Sequence, residues 1–277
     1  MRELRDRVVV ITGAAGGIGH ALSLAFAREG SALALVDIDA PGLEAVGQAA
    51  AALEAQVSIH RADVADRRAV ERVRDEVLAR HGRVDVLVNN AGVTAYSLFE
   101  HHVPGEAERI VTVNFWGVMH GCELFLPALR SAGGGHIVNV SSMAGFAGMP
   151  FQSSYCASKF AVRGLTQALR AELAILGVGV TCVMPGVTRS QILASATSRD
   201  PAVSGALSEL LQRHGGSPEK LARRIVRGVR RNSAEVRGQF DSVLLDLASR
   251  WFPWLVRWFM ARLVREASRR GLVRAQT

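Results

Sequence analysis

Tyr155 and Lys159 stand four residues apart in Tyr155-Cys156-Ala157-Ser158-Lys159. On a helix that spacing puts both side chains on one face, a turn apart. A free phenol titrates near ~10 and is a poor base at neutral pH, but an ammonium beside it stabilises the phenolate and draws that value down. Ser142, thirteen residues before the tyrosine, supplies a hydroxyl that can hydrogen-bond a substrate oxygen while Tyr155 exchanges its proton. Such a set suits proton transfer at an alcohol or carbonyl oxygen. Each member also has a plain structural reading: Ser142 as a strand-end cap, Lys159 as a solvated helix lysine.

A second group lies near the start of the chain, where Thr12-Gly13-Ala14-Ala15-Gly16-Gly17-Ile18-Gly19 joins an apolar run to a helical pattern. Glycines allow a tight turn and let the backbone approach a pyrophosphate, whose charge the helix start then favours. Asp37 ends the next apolar run, where a carboxylate accepts hydrogen bonds from the adenine-ribose hydroxyls and repels a 2′-phosphate. Ala14, Ala15 and Gly16 are neutral, and Ile38 stands where an arginine would clamp that phosphate. NAD is therefore expected over NADP.

The elements that must position these groups alternate. Strand-like runs over 7–12, 32–38, 57–64, 84–89, 136–140 and 178–184 are separated by helical patterns over 19–29, 41–55, 67–80, 106–130 and 154–176. Continuous Val/Ile/Leu strands between helices predict a parallel sheet buried on both faces, and right-handed crossovers make it doubly wound. A helix over 218–231, a seventh strand over 234–240 and a broken helix over 241–270 complete the chain. Segment 188–216, rich in Ser, Ala and Gly, suits a lid over a site. This gives an α/β fold of six to seven strands, one catalytic domain over 1–240 and a helical extension over 241–277.

The 277-residue chain is 49% hydrophobic and 21% charged, which suits one large buried core rather than disorder. Cys122, Cys156 and Cys182 are scattered among apolar residues and read as reduced interior thiols of a cytoplasmic protein. No His/Cys/Asp cluster has metal-ligand spacing, and neither an export signal nor an uninterrupted membrane-spanning run is present. From 213 to 277 there are fifteen Lys/Arg against five Asp/Glu, a balance of +10; the rest carries 18 against 20, or −2. A near-neutral body argues against a nucleic-acid partner.

Taken in order, the motifs over roughly 7–190 resemble those of the short-chain dehydrogenase/reductase family. They are Thr12–Gly19 as TGxxxGxG, Asp63-Val64 after the third strand and Asn89-Asn90-Ala91-Gly92 after the fourth. Asn114 follows in the long helix, then Ser141-Ser142, Tyr155xxxLys159 and Pro185-Gly186. The resemblance implies a Rossmann-type fold, an NAD cofactor, and hydride transfer between nicotinamide and a secondary alcohol or ketone. It implies that Tyr155 is the general acid/base, that Lys159 lowers its pKa and binds the nicotinamide ribose, and that Ser142 rather than Ser141 orients the substrate. Asn114 would hold a water linked to Lys159. Gly13, Gly17, Ile18, Gly19 and Asp37 would bind the cofactor together with Asp63, Val64, Asn90, Ala91, Gly92, Val187, Thr188 and Ser190. Ser190 replaces the family's usual threonine. A homodimer or homotetramer through the two long helices is also implied. The competing readings are an NADP-dependent carbonyl reductase and a non-catalytic cofactor-binding scaffold.

Substrate residues are expected at Ser142, Ala144, Gln152 and Tyr155, with Phe146, Phe151 and the lid nearby. The pocket reads as apolar and moderately roomy, and it is the C-terminal tail that hints at a lipophilic substrate such as a steroid, retinoid or long-chain alcohol. Three of the four tryptophans fall in the tail: Trp251, Trp254 and Trp258 share a helical stripe that Arg262, Arg265 and Arg269 extend. Phe252, Val256, Phe259, Met260 and Leu263 take the other side. That amphipathicity fits peripheral contact with a lipid surface, and equally fits packing on the chain's own body or a partner subunit.

Overall fold

In the first strand, β1 (Val8–Thr12), Val9 and Ile11 join one apolar core while Val8 and Val10 join a second. Period-two side chains on a strand buried from both sides require this division. The structure, a computed structural model, describes residues 3–189, 205, 209, 213 and 215–269. After β1 come α1 (Gly17–Arg28), β2 (Ala32–Asp37), α2 (Ala40–Ala51), β3 (Val57–Arg61), α3 (Arg67–His81) and β4 (Val86–Asn89). The second half holds α4 (Glu106–Val111), a π-helical turn (Thr112–Trp116), α5 (Gly117–Ser131), β5 (His136–Val140), α6 (Ser153–Glu172) and β6 (Gly179–Met184). Then follow α7 (Pro218–Arg230), β7 (Glu235–Arg237), α8 (Phe240–Trp251) and α9 (Pro253–Arg269).

All seven strands form one parallel sheet in the order β3-β2-β1-β4-β5-β6-β7. α1, α2 and α7 cover the Val9/Ile11 face; α3, α5 and α6 cover the other. The doubly wound expectation therefore holds, with a helical extension after the sheet. The three cysteines are free and buried.

Several boundaries differ from the sequence reading, each for a local reason. β3 stops at Arg61, not 64, because the Asp63 carboxylate accepts the Ala65 N–H (2.9 Å) and turns the chain out of the ladder. β4 begins at Val86, not 84. Just before it, the fully buried Asp85 carboxylate accepts from Arg7 (2.9 Å), Arg83 (2.6 Å) and the Val8 N–H (3.0 Å), fixing the entrances of β1 and β4. β7 ends at Arg237, since α8 starts at Phe240. Most of the expected lid lies outside the described residues, but its ends meet: Thr188 and Gly216 form a bridge, and the Gly216 N–H donates to Val187 O (2.8 Å).

Candidate active site

Between β1 and β4 the strand order reverses, and that is where a crevice opens at the carboxyl ends of a doubly wound sheet. A cleft of about 930 Å³ runs from there past β5 to the loop after β6. Thr12 stitches its two lips together. Its Oγ1 accepts the N–H groups of Asn90 (3.0 Å) and Ala91 (3.1 Å), while Asn90 Nδ2 donates to the carbonyls of Thr12 and Gly13 (both 3.0 Å).

The turn after β1 admits only glycine at two points. Gly13 has φ +65°, and a Cβ on it would lie 2.7 Å from Ala91 Cα; a Cβ on Gly19 would lie 2.0 Å from Gly13 O. Gly16 caps α1 without a side chain, so the first-turn N–H groups stay available at the positive end of the helix, beside the cleft. The Asp37 carboxylate stands next to this turn, accepting from the N–H groups of Ala15 (3.0 Å), Ile38 (2.7 Å) and Asp39 (3.1 Å). Among the described residues lining the cleft, Arg109 carries the one arginine or lysine side chain, and it faces Asp63 at 3.8 Å. Val64, buried, lines the cleft next to Asp63. Helix-start amides beside bare glycines, followed by a carboxylate acceptor, fit an adenine dinucleotide.

Farther along the cleft, Tyr155 and Ser142 stand together in the lining, and the serine hydroxyl works to lower the phenol pKa. Ser142 Oγ also accepts the Ala144 N–H (3.1 Å), which sets the serine at the end of β5. Ser141 points away and donates to Lys159 O (2.7 Å), tying β5 to α6. Of the two serines, Ser142 is the one that acts on the phenol.

Burial pushes the Tyr155 phenol up to about 12, and the Ser142 hydroxyl opposes that only in part. Burial is the dominant influence on the phenol, whereas the family resemblance implies a lowering by Lys159. Its Nζ sits 5.5 Å from the Tyr155 ring centroid and donates to Val140 O (3.1 Å), and burial lowers its own pKa to about 8.

Asn114 lies fully buried in the π-helical turn, a distortion of the long 106–130 helix of the kind that often marks functional sites. Its Nδ2 donates to Val93 O (3.0 Å) and Ser158 Oγ (3.1 Å), and its Oδ1 accepts the Val93 N–H (2.8 Å). Both amide protons are thus spent on protein. Only a remaining lone pair on Oδ1 could serve the water expected there. Asn114 Oδ1 and Lys159 Nζ flank Gly92, 3.2 and 3.5 Å from where its Cβ would stand.

Ala144 and Gln152 line the cleft as expected, and so do two residues the sequence reading missed, Thr94 and Tyr96. Gln152 Nε2 donates to Thr94 Oγ1 (3.1 Å), and the Tyr96 hydroxyl bonds to both. Burial raises the Tyr96 phenol further still. The available signal was rarity: the chain has two tyrosines, and Tyr96 follows Asn89-Asn90-Ala91-Gly92 closely. Phe146 and Phe151 do not line the site. Phe146 turns under the Arg163 guanidinium (4.8 Å) against Cys182 and Met184, and Phe151, at φ +67°, offers its carbonyl to the Ser97 N–H (3.0 Å). Pro185, Gly186, Val187 and Thr188 form the far wall; Ser190 lies outside the described residues.

Comparison with known proteins agrees with this geometry. The short chain dehydrogenase family model matches residues 7–201. SadH, a Mycobacterium tuberculosis protein assigned as an oxidoreductase, is 41% identical over 254 residues, covering 90% of this chain and 92% of that one. A Burkholderia phymatum short chain dehydrogenase/reductase, solved in complex with NAD, superposes with a TM-score of 0.83 at 26% identity, covering 100% of both chains. An alcohol dehydrogenase from Thermococcus sibiricus, complexed with 5-hydroxy-NADP, superposes with a TM-score of 0.73 at 27% identity, covering 84% of this chain and 96% of that one.

Proposed function

The chain belongs to the short-chain dehydrogenase family, and we propose that it is an NAD-dependent oxidoreductase interconverting a lipophilic secondary alcohol and its ketone. The observation that carries this reading is the Tyr155–Ser142 pair standing in one cleft with the glycine turn and Asp37. In the reducing direction the Tyr155 phenol donates its proton to the substrate oxygen, and burial favours that protonated form. In the oxidising direction Tyr155 takes the proton back. Ser142 donates a hydrogen bond to the same oxygen and steadies charge on it. Asn114 positions the Gly92–Val93 backbone and Ser158, and Lys159 presents its ammonium at the Tyr155 ring. A nicotinamide ring bound in the cleft supplies the hydride donor or acceptor for the carbinol carbon.

Gly13, Gly17, Ile18 and Gly19 would hold the pyrophosphate, Asp37 the adenine ribose, and Asp63 with Val64 the adenine. Asn90, Ala91, Gly92, Val187 and Thr188 would line the nicotinamide half. The Asp37 carboxylate, exposed Ile38 and neutral turn support NAD, since none of them would hold a 2′-phosphate. A second reading, an NADP-dependent carbonyl reductase, draws on Arg61, which stands opposite Asp37 in the β2–β3 register. Its Nε donates instead to Ile38 O (3.3 Å), and the residue does not line the cleft. Exposed Trp116 and Phe160, one on each of the two long helical runs, support a homodimer across them.

Turnover of a panel of secondary alcohols with NAD and with NADP, read as reduced-nicotinamide absorbance, tests the reading. Activity is expected with NAD, and Asp37→Ala combined with Ile38→Arg should shift kcat/KM towards NADP. An unmoved ratio overturns the role of Asp37. Cofactor binding without turnover of any alcohol or ketone leaves the scaffold reading.

A further inference from the structure

Beyond β7 the chain first anchors itself and then leaves the body. In α8, the buried Asp246 carboxylate sits between Arg237 (2.7 Å) and Arg250 (2.6 Å), and Ser242 is buried as well. The outward side of the same helix exposes Phe240, Leu244 and Leu247. In α9 no residue is buried. Trp251, Trp254 and Trp258 are 74%, 63% and 51% exposed, and Phe259 and Leu263 are exposed beside them. Leaving this much aromatic and aliphatic surface in water is costly, so something covers it.

Charge decides what. Along α9, Arg257, Arg262, Arg265 and Arg269 face a single acid, Glu266, and Arg262 stacks over the Trp258 ring at 5.6 Å. Pairing α9 with a second copy would bring two arginine rows together, like charge against like. A bilayer carrying anionic headgroups offers the opposite charge to the arginines, and it offers tryptophan the interfacial depth at which it is enriched. Among the described residues no helix is long and apolar enough to cross a membrane, so the contact lies along the surface.

The same element is tied to the cleft. The Val187 N–H donates to Asp241 Oδ2 (2.7 Å), the Gly186 N–H to Gln239 Oε1 (3.0 Å), and Gln239 Nε2 to Thr188 Oγ1 (3.1 Å). Gly186, Val187 and Thr188 are the cleft wall. Only the length of α8, on the order of 20 Å, separates that wall from the tryptophans.

We propose that α8 and α9 seat the protein on anionic membrane surfaces and that its substrate enters the cleft from the bilayer, as an alcohol or ketone with a long apolar body. Docking stands on the exposed face alone. Delivery also rests on the alcohol/ketone reading above.

The test uses the full chain and vesicles of phosphatidylcholine with or without phosphatidylglycerol. Co-sedimentation is expected on phosphatidylglycerol vesicles, weakened by salt, and weakened at least about tenfold by Trp254→Ala with Trp258→Ala or by Arg257→Glu with Arg265→Glu. All four sites are exposed, and circular dichroism with NAD binding checks that each variant folds; should the tryptophan pair misfold, the arginine pair carries the result. No sedimentation of the wild type, or equal sedimentation of a folded arginine variant, overturns docking. A wild-type dimer that those substitutions dissociate, with no lipid binding, replaces the membrane with a second copy. Delivery is read by comparing a water-soluble secondary alcohol with a long-chain one held in the vesicles. The variants should lose turnover of the second alone, and equal loss of both overturns delivery. Lipid binding with turnover of neither alcohol counts against the alcohol/ketone reading and leaves docking standing.

Discussion

Lys159 Nζ lies 5.5 Å from the centroid of the Tyr155 ring, and Val140 O accepts from it at 3.1 Å. An ammonium buried this deeply, and hydrogen-bonded to a neutral carbonyl, gains little to offset its lost hydration. The arrangement costs stability, and what it holds ready is a positive charge beside a phenol that burial keeps protonated. A feature that works against folding, placed against a residue that lines the cleft, is the kind of local conflict expected at a functional site.

That cost can be measured. The folded state releases the Lys159 proton at about 8, whereas the ordinary value is 10.5. Below the folded value both states are charged and the burial penalty is complete. As pH rises towards the unfolded value, the unfolded chain binds more protons and the penalty fades. Lys159→Met should therefore stabilise the cofactor-free protein at about pH 7, by up to about 3 kcal/mol, with the gain shrinking towards about pH 10. Urea unfolding of both proteins at the two pH values checks it. A gap that stays constant would show that Lys159 is not held with a lowered pKa.

The two tyrosines make a second titration unusually clean. Tyr96 and Tyr155 are the only ones in the chain, and burial raises both phenols. Tyrosinate absorbance of the folded, cofactor-free protein should stay flat through about pH 10, whereas the chain unfolded in denaturant should ionise near that value. By the same linkage, these two groups subtract stability above about pH 10, because the unfolded state then binds fewer protons. A native tyrosine step below pH 10, lost in Tyr155→Phe, would mean that Lys159 prevails over burial.

At the other end of the cleft the glycines make unequal demands. A Cβ on Gly19 would lie 2.0 Å from Gly13 O, a backbone atom that cannot move aside without opening the turn; at Gly16 the same oxygen is 3.6 Å away. Gly19→Ala should weaken NADH binding by at least about tenfold, while Gly16→Ala should stay within about threefold. Fluorescence titration with NADH compares them. Equal effects would mean that the close packing of α1 against the turn does not shape the cofactor site.

How much of this was legible in the sequence follows from where each property originates. β1, β2, β5 and β6 could be read within a residue or so because both their faces are buried, so most of their side chains are apolar. Tyr155, Ser142, Asp37 and the glycine turn could be read because strand ends and helix starts place them by local rules. The rise in the Tyr155 phenol could not, since burial is contributed by chain segments distant in sequence. Nor could the Thr94–Tyr96–Gln152 cluster, which exists only because the loop after β4 meets the start of α6. Phe146 has the composition of a pocket residue, but the turn at Met143–Gly145 carries it towards Cys182 and Met184 instead. For α9, amphipathicity alone could not separate a covered helix from an uncovered one, and in the structure none of its residues is buried.

The roles of Tyr155 and Ser142 separate through substitution. Removing the phenol oxygen takes away the proton that the substrate oxygen must gain or lose. Tyr155→Phe should therefore lower kcat by about 100-fold or more and leave NADH affinity nearly unchanged, since the glycine turn and Asp37 lie at the other end of the cleft. Ser142→Ala keeps the proton but removes its oriented neighbour and the hydroxyl that opposes the rise of the phenol. It should cost kcat by about tenfold to 1,000-fold and move the alkaline limb of the pH–rate profile to higher pH, because the phenol loses a stabiliser of its ionised form. A Tyr155→Phe enzyme with near-normal kcat would remove Tyr155 from the chemistry. A Ser142→Ala enzyme whose alkaline limb does not move would show that Ser142 acts on the substrate alone.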